Sequence, residues 1–218
     1  MRGGAARDRA TMFHVNHLEP GAEIHYRDPF AAAATERSPV RRLRGRLAAP
    51  VVLWTVGTVG PAQPDSNTNP TGPARGTAVP LAGLTVSSTV LVDGEPPRLL
   101  GLLDEESQLW EVLQEAQRFA VTPLGPSHRQ LADRFAGLMP APGGPFKGVD
   151  WRFTEHGPVL AAATSWAGCR LDGARPFGWS MLIEATVESV TVGDEPDPGP
   201  LIHYRGRYRQ LADPTGPR

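Results

Sequence analysis

The stretch GLTVSSTVLVDGEPPRLLGLL, Gly83 to Leu103, decides how this chain is read. Two apolar, β-prone runs flank a polar centre, Thr85-Val86-Ser87-Ser88, and a stiff Pro96-Pro97 step. Small residues let a backbone come close to a ligand, and adjacent hydroxyls can bind phosphate oxygens or ring heteroatoms. The same residues also suit a plain β-strand that carries Ser and Thr, and by themselves they leave both readings open.

Outward from this stretch the chain is punctuated by turn formers. Its 218 residues include 24 Gly and 23 Pro, which argues for many short elements and a β-rich fold. Before it, residues 1–37 show no sustained period and read as a mobile tail, separate from a domain over 38–218. His14 and His17 have no Cys or Asp at ligand spacing, so no metal site is expected. Ser38 to Leu47 suits a short basic helix capped by Ser38, with Pro39 at its first position. The run 50–59, PVVLWTVGTV, reads as a strand buried on both faces, like a barrel stave. Residues 61–76 form a long Pro/Gly/Asn loop, expected to be disordered, with a lid as the alternative.

After it, Asp104-Glu105-Glu106-Ser107 opens a helix with Leu109, Val112, Leu113 and Ala116 on one face and Asp104 or Ser107 at the N-cap. Phe119 to Thr122 is a strand. Ser127 and Gln130 have capping-box spacing for a second helix, with Leu131, Phe135 and Leu138 on one face. Arg129 and Arg134 lie off that face, free to reach a phosphate or to stay solvated. From residue 150 the pattern predicts strands over 150–154, 158–163, 165–171, 178–192 and 200–209, giving an antiparallel barrel with two or three helices.

The net charge of −1 gives no field that would steer the chain to nucleic acid, and no apolar run reaches membrane-span length. One cysteine, Cys169, excludes an internal disulfide and reads as a buried thiol. A cytoplasmic protein is the expectation. No catalytic triad, carboxylate pair or G-x-G-x-x-G fingerprint is present.

An ordered set of motifs resembles the flavin reductase-like family, the FMN-binding split barrels. Gly83–Ser88 with Pro96-Pro97 is similar to that family's G-(L/M)-T-x-S-S … P-P-x-L segment. Arg118–Val121 is similar to its F-x-V-N-x-L strand, and Gln130–Gly137 to its L-A-x-x-F-a-G helix. Phe146–Trp151 and Pro200–Tyr208 resemble its later motifs, so the likeness covers residues 38–218. The resemblance implies a mainly β split barrel, a homodimer, and an NAD(P)H-dependent reductase that supplies reduced FMN or FAD to a partner monooxygenase. NADH or NADPH would be the co-substrate, and the flavin would supply the reactivity.

It also implies cofactor-side residues: Leu84, Thr85, Val86, Ser87, Ser88, Ser107, Val121, Thr122, Arg129, Arg134 and Phe135. Two departures stand out. The family's V-N is here Val121-Thr122, and its G-D-H is here Gly178-Trp179-Ser180, with no imidazole on the nicotinamide side. A flavin-binding barrel without strong reductase activity, or one holding a deazaflavin or haem, is therefore the alternative.

Overall fold

The computed structural model describes residues 38–58, 79–193 and 199–211. The expected tail over 1–37, the His14/His17 pair and the 61–76 loop lie outside the described residues. The chain divides into two units, one ending at Arg44 and one beginning at Gly45. Of the first, the described part is helix α1, Pro39–Arg44, where Ser38 Oγ accepts a hydrogen bond from the Arg41 amide at 3.2 Å, the expected cap.

The second unit carries the rest. Its elements are β1 (Ala49–Pro50), β2 (Val52–Val56), β3 (Ala82–Val86), β4 (Val90–Val92), β5 (Arg98–Leu103), α2 (Gln108–Ala116), β6 (Arg118–Pro123), α3 (Arg129–Phe135), β7 (Trp151–Thr154), β8 (Gly157–Leu160), β9 (Trp166–Phe177), β10 (Ser180–Thr191), β11 (Leu201–Tyr204) and β12 (Arg207–Gln210). Every ladder is antiparallel. Seven strands pair in the order β3-β2-β6-β9-β10-β5-β4, β1-β11-β12 form a small sheet, and β7-β8 form a hairpin.

The connection from β3 to β4 fixes the shape. These strands are the two ends of the seven-stranded order, yet only Ser87, Ser88 and Thr89 join them. Laid flat, six strand spacings would set the ends ~29 Å apart. Four backbone steps from Val86 to Val90 span at most ~14 Å. The sheet must therefore roll, and its inner face closes on one apolar cluster. That cluster draws Val52, Trp54 and Val56 from β2, Leu99 and Leu103 from β5, Phe119 and Val121 from β6, and Ile183, Ala185 and Val187 from β10. Helix α2 enters it with Leu109, Val112 and Leu113, the face read from the sequence.

Trp54 spans this interior. It is fully buried, stacks on Phe119 with centroids 4.6 Å apart, and donates Nε1–H to Thr89 Oγ1 at 3.0 Å. Its far edge lies against Gly101 of β5, where a Cβ would sit 2.6 Å from the indole ring. A second cluster covers the other face of β2. Val51, Leu53, Leu124, Leu131, Ala132, Phe135, Leu160 and Leu201 pack there beneath α3 and the β7–β8 hairpin.

Several expectations need correction. Ser127 does not cap α3: residues 126–128 form a 3-10 turn, closed by His128 Nδ1 accepting from the Gly125 amide at 3.1 Å, and α3 begins at Arg129. Leu138 lies beyond the helix end and is exposed. Strand β9 runs on to Phe177, because β10 pairs with it along its whole length. Strand β10 begins at Ser180, so Trp179 belongs to the two-residue turn between them, led by Gly178 at φ 64°. A glycine at the first central position with positive φ suits such a hairpin turn.

The cross-barrel contact gives a test. Gly101→Ala should cost ~1–3 kcal/mol in urea unfolding, the usual penalty for overpacking. Trp54→Ala should cost ~3–5 kcal/mol. With Trp54→Leu already in place, the Gly101→Ala cost should shrink, because the colliding ring edge is gone. Strictly additive costs would mean that Trp54 does not reach β5.

Candidate functional site

Strand register sorts the residues singled out by sequence. Across β3, β2 and β6, Leu84, Trp54 and Val121 form one row, and Thr85, Leu53 and Thr122 the next. Directly paired residues share a face. The first row faces the barrel interior and the second faces the layer under α3. Val86 is buried in the interior cluster.

The outer row is committed to the fold. Thr85 Oγ1 donates to the Ala132 carbonyl of α3 at 2.8 Å, and Thr122 is buried. Phe135 packs edge-on to Phe146 and Trp151 at 4.9 and 5.9 Å. The close backbone approach expected at Gly83 is made by Phe135 itself: a Cβ there would lie 2.7 Å from its ring. Arg134, expected free for a phosphate, instead donates to the Lys147 carbonyl at 3.0 Å and holds the 145–147 loop. Arg129 is exposed, with its guanidinium 5.9 Å from the Tyr208 ring centre.

The remaining residues gather at one end of β5. Ser88 Oγ donates to the Leu102 carbonyl at 3.0 Å and accepts from its amide at 3.1 Å, clipping the β3–β4 link to β5. The next residue, Leu103, pairs with Met181, so Ser180 and the Gly178-Trp179 turn stand beyond the end of β5. From there the chain reaches Ser107, whose hydroxyl donates to the Asp104 carbonyl at 2.6 Å and accepts from the Trp110 amide at 3.3 Å as the N-cap of α2. Ser87 is half-buried on the link, and its hydroxyl has no partner among the described residues. Trp179 is wholly exposed, and Phe177 beside it is 54% exposed, with Arg175 stacked at 5.6 Å. This end of the barrel is a rim of hydroxyls flanked by an exposed indole. A cavity between Gly57, Arg118 and His156 holds about 50 Å³ and lies elsewhere. A ligand the size of a cofactor needs several hundred Å³, so it would meet this rim at the surface.

Sequence reasoning missed a charge ladder on the outer face of β5, β10, β9 and β6. Two bulges interrupt the β9–β10 pairing, and each leaves a carboxylate without an opposite residue: Asp172 on β9 and Glu188 on β10. Asp172 receives Arg98 at 3.2 Å, Arg170 at 2.5 Å and the Thr186 hydroxyl at 2.6 Å. Glu188 receives Arg118 and Arg170, each at 2.9 Å, and His156 Nε2 at 3.1 Å. Hydrogen bonding from Arg118, above all, lowers the Glu188 carboxyl to about 2 despite some desolvation. His156 is 3% exposed, and its Nδ1 and the Ser189 hydroxyl are both buried without a partner beside Gly168, where any Cβ would strike them. Burial pushes the Cys169 thiol up to about 12, so it is an inert core residue. The alternating pattern of β10 was legible, but the bulges that re-aim Asp172 on β9 and Glu188 on β10 were not.

Comparison with known proteins shows what this architecture is similar to. The model of the flavin reductase like domain matches residues 44–212. The reductase subunit HsaB of a flavin-dependent monooxygenase from Mycobacterium tuberculosis is 28% identical over 127 residues, 58% of this chain and 66% of HsaB, just under two thirds of its length. FMN reductase (NADH) RutF 2 of Methylorubrum extorquens is 32% identical over 135 residues, 61% of this chain and 76% of that protein. Among solved structures, the NADH:FAD oxidoreductase SgcE6 of Streptomyces globisporus superposes with a TM-score of 0.64 at 22% identity, covering 84% of this chain and 97% of its own. The fold is therefore the split barrel of these reductases.

Glu188 gives this scaffold a pH dependence that needs no ligand. Its folded value, about 2, lies below the ordinary 4.5, so its stabilisation is present above about 4.5 and is lost as pH falls toward about 2. Glu188→Gln should lower the melting temperature near pH 7 by about 2–4 °C, as expected for loss of ~1 kcal/mol of exposed pairing. The gap should close as pH falls through that window in melts followed by circular dichroism. A gap that persists at pH 2 would place the effect outside the ion ladder.

Proposed function

The chain belongs to the flavin reductase-like family, and from that premise we propose that it is an NAD(P)H-dependent flavin reductase, delivering reduced FMN or FAD to a partner monooxygenase. The observation that carries this reading is the family match over 44–212, which takes in both the rolled sheet and the hydroxyl rim. It is supported by relatives named as reductase components of monooxygenases.

The residues present at the rim fit a flavin. The unpartnered Ser87 hydroxyl suits a phosphate oxygen or a ring heteroatom, and the free indole of Trp179 offers a stacking face. Ser88 sets the link's path by gripping Leu102, and Thr85 anchors it to α3. Of the wider set, Leu84, Val86 and Val121 face the barrel interior, Thr122 and Phe135 are buried on the opposite face under α3, and Arg129 is the exposed cation. Bound flavin supplies the hydride-accepting chemistry, and the chain's own residues hold it, orient it and need not move a proton. We place the protein as a homodimer, with residues 38–218 forming the catalytic domain.

A second reading rests on the hairpin. Where the family has an acid and an imidazole, Trp179 and Ser180 offer neither, which favours a flavin-binding barrel of low reductase activity.

Steady-state NADH or NADPH oxidation with free FMN or FAD tests the first reading. Turnover should show no inflection near pH 6–7 from this hairpin, since no group there titrates in that range. Ser87→Ala should weaken flavin binding roughly 10- to 100-fold, the value of a hydrogen bond to a charged group. Flavin binding without oxidation of either nicotinamide would leave the second reading standing. Absence of the flavin absorbance band, together with no binding in titration, would overturn both.

A further inference from the structure

Hairpin β7–β8 lies across the barrel wall instead of joining its sheet. Among the described residues its two strands pair with each other alone. Its turn touches the wall at both ends of a four-strand span. Gly157 lies against the Thr55 carbonyl of β2, where a Cβ would sit 2.8 Å away. His156 beside it reaches over Gly168 of β9 to Glu188 of β10. In sheet order that runs from β2, across β6 and β9, to β10, so the turn acts as a strap.

At the far end of the strap one imidazole meets two consecutive side chains. Glu188 Oε2 lies 3.1 Å from His156 Nε2. Ser189 Oγ and His156 Nδ1 both sit over the Gly168 Cα: a Cβ built there would be 2.5 Å from the first and 2.4 Å from the second. In a regular strand successive side chains point to opposite faces, so Glu188 and Ser189 could not share a partner. The pairing of β9 with β10 shifts register between Val187 and Ser189, and Glu188 is the extra residue. That bulge re-aims the two side chains toward one ring.

Charge decides where the imidazole hydrogen sits. Arg118 and Arg170 keep the Glu188 carboxyl ionised, so it can only accept. A neutral ring beside it therefore carries its hydrogen on Nε2 and presents a lone pair at Nδ1. Nδ1 and the Ser189 hydroxyl are both buried, and neither has another partner among the described residues. Leaving either unpaired in the interior is costly, and each supplies what the other lacks.

We infer that the Ser189 hydroxyl donates to His156 Nδ1 while His156 Nε2–H donates to Glu188, a buried relay that buckles the β7–β8 strap onto the bulge of β10. Ser189 is a holding group there, since its oxygen is closed off from any substrate. His156 is a positioning residue for the hairpin, which opens as a unit when the relay breaks.

Nitrogen NMR and hydrogen exchange test the two halves of this inference. At about pH 8 the His156 ring, assigned through its backbone, should show a one-bond N–H at Nε2 and an acceptor-type Nδ1. Ser189→Ala removes the Nδ1 partner. It should speed amide exchange in β7 and β8 roughly fivefold to tenfold, the worth of one hydrogen bond, with β2, β6 and β9 unchanged. Ser189→Thr keeps a hydroxyl and should restore the parent rates. Gly168→Ala drives a methyl against both partners and should free the hairpin further. If that variant does not fold, the two serine variants decide alone. A hydrogen on Nδ1 in place of Nε2 would overturn the relay, as would unchanged hairpin exchange in Ser189→Ala. Exchange that rises equally across the whole sheet would overturn the strap, because the bond would then hold the barrel and not the hairpin.

Discussion

Three residues of chain, Ser87 to Thr89, must bridge the two ends of a seven-stranded sheet, and most of the structure follows from that constraint. A link this short obliges the sheet to roll, and a rolled sheet needs something wide enough to fill it. Trp54 does so: it leaves β2, crosses to Gly101 on β5, and on the way donates to Thr89 in the link itself. The link is then tied twice more, by Thr85 to α3 and by Ser88 to Leu102. Hydroxyls that look like ligand groups in the sequence are thus largely occupied in closing the barrel. Ser87 is the hydroxyl of the link left over.

The outer wall solves a different problem. The long β9–β10 ladder carries two bulges, which bend a strand and increase its twist. Here each bulge contributes an acid that would otherwise alternate to a fixed face. Asp172 gathers Arg98 from β5 and Arg170 from its own strand, and Glu188 gathers Arg118 from β6 and Arg170 from β9. The ladder also fastens the β7–β8 hairpin, because His156 in its turn reaches Glu188 past Gly168. Such partly exposed pairs add modestly to stability, but they fix how the strands lie against one another.

The stave expected over 50–59, which the structure shortens to Val52–Val56, the amphipathic face of α2 with its Ser107 cap and the short α1 helix were legible because each is local: burial density, a 3.6-residue period and a capping hydroxyl. The order of motifs was legible as a family resemblance. What was not legible depends on distant partners. Nothing near Gly83 announces that Phe135 will occupy the space a ligand could use. Nothing near Arg134 announces that carbonyls at 145–147 will claim it. The Gly178-Trp179 turn was read as strand because alternation continues through it, and only the pairing of Phe177 with Ser180 shows where the chain reverses.

That reversal bears on why an indole stands there at all. The turn requires Gly178, whose φ of 64° disfavours a side chain, but it places no demand on the next residue. Trp179 contributes nothing to the core, being wholly exposed, and its neighbours Phe177 and Arg175 already stack on each other. A large apolar ring held in water gives up the ~150–250 Å² that such side chains usually bury. Its exposure leaves both faces of the indole open, so the ring is available to stack on a planar group. The rim beside it, where the Ser87 hydroxyl is unengaged among the described residues, is the place the proposed cofactor reading assigns to a planar ring.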